Sequence, residues 1–182
     1  MITENISQSS EQALSSDGAT GMTKELLSKE VLAKIDSWTV KYPPEQRQSA
    51  VIPALHIVQE ANEGSLTDEL MDAIADYLGM PNISVYEVAT FYSMYEHKPV
   101  GRNKLSVCTN ISCMLRGSDN VLAHLKTRLG IGVGEMTADG KFSIKEVECL
   151  GACGGAPMLE LNKTYHENLT PEKLDEIIDA AK

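Results

Sequence analysis

The stretch that decides the fold is ECLGACGGAPML, residues 148–159. It follows a segment over 142–147 that predicts a β-strand, and it runs into a second predicted strand that begins at Met158. Between the two strands lie Cys149, Cys153 and three glycines. Glycine lets the main chain approach a bulky group and point its amides at it, whereas a tight loop alone would explain one glycine. The stretch therefore predicts a loop that surrounds a ligand.

Two further cysteines complete the set, which has the spacing Cys108-x4-Cys113-x35-Cys149-x3-Cys153. Each pair stands at the end of a predicted strand, so the two pairs can converge on one site. A thiol–disulfide enzyme would require Cys-x-x-Cys at a helix start, which neither pair provides. Structural zinc tolerates both gaps, although two-residue gaps are more typical of it. An iron–sulfur cluster requires four thiolates in loops with amide donors, and the residues favour it over zinc without excluding zinc.

The whole chain divides into three parts. Residues 1–22 contain five serines and no basic residue, and they predict a disordered tail. Residues 23–101 contain four apolar patterns at helical spacing, which predict a small helical bundle. Residues 102–182 change to a β-α-β-β-α order, in which Thr170 is the candidate N-cap of the last helix and Pro171 its first helical residue. The predicted fold class is α+β, a helical bundle followed by a thioredoxin-like α/β domain.

Specific signals predict the ends of two helices in the bundle. Thr67 is a candidate N-cap for the third helix, and Gly79 is a candidate terminator. For the fourth helix, Ser84-Val-Tyr-Glu87 has the spacing of a capping box. This pattern predicts a helix that begins at Ser84 and continues to Tyr95.

The composition limits the classes of function. The chain has 182 residues, with 16 basic and 26 acidic residues and a net charge of −10. This balance argues against nucleic acid and anionic membrane surfaces as main partners. The longest uncharged stretch, 48–59, is too short to span a bilayer, and the chain starts without a basic region followed by an apolar run. We therefore expect a cytoplasmic protein without direct membrane insertion, in which cysteines serve as ligands or redox groups rather than disulfides.

Four motifs together make the sequence similar to a known family. They are CTNISCMLRGSDN (108–120), the turn Thr137-Ala-Asp-Gly140, ECLGACGGAPML (148–159) and, ahead of them, VYEVATFYSMYEHKPVG (85–101). These segments resemble the thioredoxin-like [2Fe-2S] ferredoxins, whose best-known members are the E subunits of NADH:quinone oxidoreductase, respiratory complex I. The resemblance covers about residues 24–180.

The resemblance carries implications for the site and its partners. It implies one [2Fe-2S] cluster with Cys108, Cys113, Cys149 and Cys153 as its four ligands, and no catalytic residue on this chain. It implies a partner subunit that carries FMN and the NADH site, neighbouring peripheral-arm subunits, and single-electron exchange between the FMN and the cluster. It also implies a location at the cytoplasmic face of the inner membrane, through the complex.

Two alternatives remain at this point. The same kind of module serves NAD-linked hydrogenases and formate dehydrogenases, and the sequence does not separate them from complex I. From a different class, four cysteines at these spacings also suit a zinc-stapled interaction module without a redox role.

Overall fold

The computed structural model describes residues 26–181, so the tail predicted at 1–22 lies outside the described residues. The described chain forms two compact units, one made of residues 26–58 and 66–95 and the other of residues 59–65 and 96–181. Over this described range, every helix is too short or too polar to cross a membrane.

The first unit is helical. Its elements are α1 (Lys29–Thr39), a 3₁₀ helix (Pro44–Ala50), α2 (Val51–Ala61), α3 (Asp68–Leu78) and α4 (Asn82–Phe91). The last three residues of α2, 59–61, belong to the second unit. Apolar side chains at helical spacing, among them Ile35, Leu55 and Ile74, are fully buried and form its core. The predicted organisation of this segment as helices is therefore confirmed, and its stability rests on one buried face from each helix.

The cap signals of α3 are confirmed. The Thr67 hydroxyl accepts a hydrogen bond from the Leu70 amide at 3.3 Å, which satisfies one of the amides left unpaired at a helix start. Gly79 adopts the left-handed conformation (φ 69°) that ends a helix, a conformation that glycine adopts without steric cost.

The prediction that a capping box begins the fourth helix at Ser84 is wrong. α4 begins earlier, at Asn82, after Pro81 in extended conformation, and the Ser84 amide already donates to the Pro81 carbonyl at 3.0 Å. Proline has its φ fixed near the value that leads into a helix, so the chain turns there first. The helix also stops at Phe91, because Tyr95 is drawn into the core, where its hydroxyl donates to the Ile52 carbonyl at 2.9 Å.

The second unit contains a four-stranded sheet with helices. Its elements are β1 (Asn103–Cys108), α5 (Ile111–Leu115), α6 (Ser118–Leu129), β2 (Phe142–Val147), a 3₁₀ turn (Cys153–Gly155), β3 (Leu159–Leu161), β4 (Thr164–His166) and α7 (Pro171–Ala180). The sheet order is β2-β1-β3-β4, with β1 parallel to β2 and the other pairs antiparallel. The order is β-α-α-β-β-β-α, which contains one short helix and one strand more than the predicted β-α-β-β-α order.

The core of the second unit lies between the sheet and its helices. Leu105 and Ile144 from the two parallel strands are buried together with Leu125 of α6 and Leu174 of α7. α7 begins as predicted, since the Thr170 hydroxyl accepts from the Lys173 amide at 3.3 Å. The α+β class predicted from the sequence is confirmed.

Candidate metal centre

The first cysteine pair lies at the carboxyl end of β1. The Cys108 amide donates to the Met158 carbonyl at 3.2 Å. The next amide, that of Thr109, donates to the Val147 carbonyl at 3.1 Å. The strand end is thus fixed on both sides. Because β1 and β2 are parallel and Cys108 is in register with Val147, the segment after β2 leaves the sheet at the same edge. Cys149 follows Val147 by two residues, which brings the start of the second loop to this edge.

Cys113 enters the site from the short helix α5. The Asn110 side chain accepts from the Ile111 amide at 2.7 Å and so caps the helix start. Cys108 is 4% exposed and Cys113 is 2% exposed, and they pack with Ala156 and Met158 in a small apolar cluster of their own. Both thiols of the first pair therefore lie in the interior.

The second pair is on the outside of the same site. Cys149 and Cys153 are exposed and lie on a loop whose side chains Leu150 and Ala152 pack against the buried pair. The Gly151 amide donates to the Cys149 sulfur at 3.3 Å. Gly151 has φ +76°, which any residue with a side chain adopts only under strain. One of the predicted glycine roles is therefore observed directly, as an amide that points at a cysteine sulfur.

Gly155 has a different role. A Cβ atom at this position would lie 1.9 Å from a carboxylate oxygen of Glu167 and 2.6 Å from its Cβ. The missing side chain leaves room for a neighbouring side chain, not for a ligand. The expectation that the glycines cluster around a bound group therefore does not account for Gly155.

The electrostatics at Cys113 favour the neutral thiol. Burial, together with a hydrogen bond to Cys108, raises the pKa of the Cys113 thiol to about 11, while the Met158 amide acts in the opposite direction. Cys153 is also close enough to contribute to the increase in this pKa. A cation that binds here must displace a proton, as metals do when they bind cysteine.

The chemistry of these residues fits an iron–sulfur cluster. Four thiols are present, two of them buried, and the amides of Met158 and Gly151 face the sulfurs of Cys113 and Cys149. Such amides are the donors that iron–sulfur sites use. Within residues 26–181, however, no three cysteine, histidine or carboxylate groups stand close enough to hold a metal ion. The assignment of all four ligands stays a prediction from the sequence.

The sequence model of the thioredoxin-like [2Fe-2S] ferredoxins matches residues 35–182. The chain belongs to this family. The family resemblance and the thioredoxin-like fold predicted from the sequence are thereby confirmed. The cysteines of this ferredoxin lie in the part of the chain that the match covers.

Curated relatives of this ferredoxin carry names from one enzyme complex. The NADH-quinone oxidoreductase E subunit of Rickettsia bellii (strain RML369-C) is 46% identical over 160 residues, which are 88% of this chain and 96% of the relative. The NADH-quinone oxidoreductase E 2 subunit of Rhizobium meliloti (strain 1021) is 43% identical over 81% of this chain and 86% of its own. NADH dehydrogenase [ubiquinone] flavoprotein 2, mitochondrial, of Dictyostelium discoideum is 43% identical over 84% of this chain and 62% of its own.

Among solved structures, two crystal structures of an NAD+-reducing [NiFe]-hydrogenase, air-oxidized and H2-reduced, match this ferredoxin with TM-scores of 0.61. The sequence identities are 19% and 20%, and each match covers 71% of this ferredoxin. The ferredoxin spans only about a fifth of the hydrogenase chain. At this identity, the likeness shows a shared fold.

The sequence did not predict which residues hold the second cysteine loop in place. The Tyr165 hydroxyl, on β4, donates to the Leu150 carbonyl at 2.9 Å. The Asn168 amide donates to the Gly155 carbonyl at 2.6 Å. A tyrosine on a half-exposed strand has no distinctive spacing, and only the β3–β4 register could have indicated that it reaches this loop.

Proposed function

We propose that this ferredoxin is the [2Fe-2S] subunit of an NADH:quinone oxidoreductase, the E subunit of complex I. The observation that carries the proposal is the 46% identity to the E subunit of Rickettsia bellii over 96% of the length of that relative. A match of this extent leaves little of the relative without a counterpart here. The hydrogenase likeness, by contrast, is a likeness of fold at 19% identity.

The ligands in this proposal are Cys108 and Cys113 from the end of β1 and α5, and Cys149 and Cys153 from the loop after β2. When bound, the cluster supplies reversible one-electron transfer without a covalent bond to substrate. The buried pair keeps water from one side of the site, since Cys108 and Cys113 pack with Ala156 and Met158. The exposed pair leaves the other side accessible, as transfer between subunits requires.

The proposed electron donor is the FMN of a partner subunit that binds NADH, within a peripheral arm of several subunits. Support comes from α5, where Ile111, Met114 and Leu115 expose apolar side chains around the buried Cys113. Exposed apolar groups beside a redox site are typical of a protein–protein contact. A place at the cytoplasmic face of the inner membrane, through the complex, follows from this assignment.

Metal analysis tests the proposed cofactor. The full chain, purified without oxygen, is expected to contain iron and acid-labile sulfide in equal amounts. On reduction it should give the electron paramagnetic resonance signal of a one-electron-reduced [2Fe-2S] centre. Zinc in place of iron, with no signal, would overturn the proposal in favour of a zinc-stapled interaction module.

Co-purification from the native cell tests the proposed complex. We expect a flavin-containing NADH-binding subunit together with quinone-reducing subunits. If hydrogenase or formate dehydrogenase subunits co-purify instead, the complex I assignment is wrong while the cofactor assignment is retained.

A further inference from the structure

One peptide group in the second cysteine loop is hydrogen-bonded on both sides. The carbonyl of Leu150 accepts from the Tyr165 hydroxyl at 2.9 Å, and the amide of Gly151 donates to the Cys149 sulfur at 3.3 Å. The carbonyl and the amide belong to the same planar unit and, in a trans peptide, point in opposite directions. A bond that fixes the carbonyl therefore also fixes the direction of the amide.

We propose that Tyr165 is a positioning residue for the iron–sulfur site, whose hydroxyl holds the Leu150–Gly151 peptide group so that its amide points at the Cys149 sulfur. This inference rests on the proposed function, in which Cys149 is a cluster ligand. Its consequence is a higher reduction potential than the site would have without the hydroxyl.

The orientation of this peptide group requires an external hold because Gly151 provides almost no packing. Within the described part of the chain, nothing beyond its immediate neighbours lies within 4 Å of the position where a Cβ would stand. Its φ of +76° is also accessible to glycine with several orientations of the adjoining peptide. The side chains of Leu150 and Ala152, on either side of Gly151, pack against the buried cysteine pair, but Gly151 between them has no side chain that would fix the peptide group. The peptide group can therefore rotate unless its carbonyl is held.

Tyr165 is itself held in place. It lies in β4, opposite Glu160 of β3, and β3 pairs with β1, the strand that ends in Cys108. Just after β4, the Asn168 amide binds the Gly155 carbonyl at 2.6 Å, at the other end of the cysteine loop. One short segment, residues 165–168, thus holds both ends of the loop relative to the sheet.

The effect on the potential follows from charge. One-electron reduction adds negative charge to the cluster and its sulfurs, so an amide that donates to a ligand sulfur stabilises the reduced form more than the oxidised form. The Tyr165 bond to the carbonyl also polarises the peptide group and makes its amide a stronger donor. Loss of the hydroxyl should therefore make reduction less favourable.

The test uses the full chain with Tyr165→Phe, which removes the hydroxyl and keeps the ring. The matched control is Tyr86→Phe, which also removes a hydroxyl that donates to a main-chain carbonyl, that of Asp68 at 3.3 Å in the first unit. Two quantities are measured, the reduction potential by a titration followed by electron paramagnetic resonance, and hydrogen exchange of the peptide that spans residues 149–155.

For Tyr165→Phe we expect a lower potential, by about a three- to tenfold change in the one-electron equilibrium constant, where tenfold is about 59 mV. We also expect faster exchange at Gly151, with neither change in Tyr86→Phe. An unchanged potential overturns the proposed tuning, and unchanged exchange overturns the proposed positioning.

The failure of the proposed function is distinguishable from failure of this inference. If the wild-type chain contains zinc instead of iron, the proposed function is wrong. The exchange measurement on that protein still decides the role of Tyr165, since faster exchange in Tyr165→Phe supports the positioning and equal exchange overturns it.

Discussion

The side chains of Cys108 and Cys113 pack in one apolar cluster in the interior of the second unit, and both are less than 5% exposed. The other two cysteines of the proposed ligand set are exposed. Four chemically identical groups thus lie in two different environments. This difference makes the pairs separable by experiment, because thiol reactivity depends on both exposure and the fraction of thiolate.

In the cluster-free chain, we expect an alkylating reagent to modify Cys149 and Cys153 first. Cys108 and Cys113 should react only as the protein opens, since burial restricts access and the pKa of Cys113 is raised to about 11. Mass spectrometry of peptides after timed alkylation gives the order. With the cluster bound, all four thiols should be protected, and equal rates at the four positions in the cluster-free chain would contradict the buried arrangement.

Cys149→Ser is expected to weaken cluster retention although Cys149 belongs to the exposed pair. A serine hydroxyl is a poorer ligand for iron than a thiolate, and the Gly151 amide would lose the sulfur that it now faces. Iron per chain after gel filtration in the presence of a chelator should fall by about tenfold or more. Met136→Leu, at an exposed position outside both cysteine loops, is the control. Equal iron in the two variants would show that Cys149 is not a ligand.

Much of the fold could be predicted because its signals are local. Thr67 and Thr170 cap their helices with hydroxyl groups that accept hydrogen bonds from amides three residues away. The capping box at Ser84 failed because a competing local signal, Pro81, lies three residues before Ser84 and starts the helix at Asn82. When two helix-start signals overlap, the sequence alone does not indicate at which of them the helix begins.

The candidate site could be predicted only in part, because some of its features depend on contacts between segments that are distant in the sequence. The spacing identified the four cysteines, but it carries no information on which thiols are buried or which amides face them. Those features depend on contacts between distant segments, such as Cys108 with Met158 and Leu150 with Tyr165. The register of β1 against β3, and of β3 against β4, decides these contacts, and each depends on the packing of the whole sheet.

The ion pair between α6 and α7 makes stability depend on pH. Asp175 accepts from His124 at 3.0 Å and pairs with Arg128 at 3.3 Å, and the hydrogen bond from His124 is the main reason that the pKa of Asp175 lies below its ordinary value. A carboxyl group with a lowered pKa stabilises the folded state above its unfolded pKa, and this contribution is lost as the pH falls through the folded pKa.

Asp175→Asn should therefore lower the melting temperature at neutral pH, with a difference from wild type that shrinks as the pH falls below about 4. Thermal unfolding followed by circular dichroism from pH 3 to pH 8 measures it. Glu146→Gln at an exposed position changes the net charge by the same amount and serves as the control. A deficit for Asp175→Asn that stays constant down to pH 3 would contradict the role of the ionised carboxylate.

Two adjacent glycines in the second cysteine loop should respond differently to the same substitution. Gly155→Ala places a methyl group 1.9 Å from the Glu167 carboxylate and 2.6 Å from its Cβ, and the second contact is too near the main chain for a rotamer change to relieve. Gly154→Ala meets no described atom within 4 Å. We expect Gly155→Ala to reduce the free energy of unfolding by about 1–3 kcal/mol and Gly154→Ala to change it by less than about 0.5 kcal/mol.

Urea unfolding of both variants measures the difference, and a third variant identifies its cause. If the contact with Glu167 is responsible, adding Glu167→Gly to Gly155→Ala should recover most of the lost stability, because that change removes both the carboxylate and the Cβ. If Gly155→Ala instead loses the cluster while its free energy of unfolding is unchanged, then Gly155 acts on the bound group and not through Glu167. Iron content, measured on the same samples, separates these two outcomes and tests whether this glycine serves packing, as the structure indicates, or the ligand loop, as the sequence predicts.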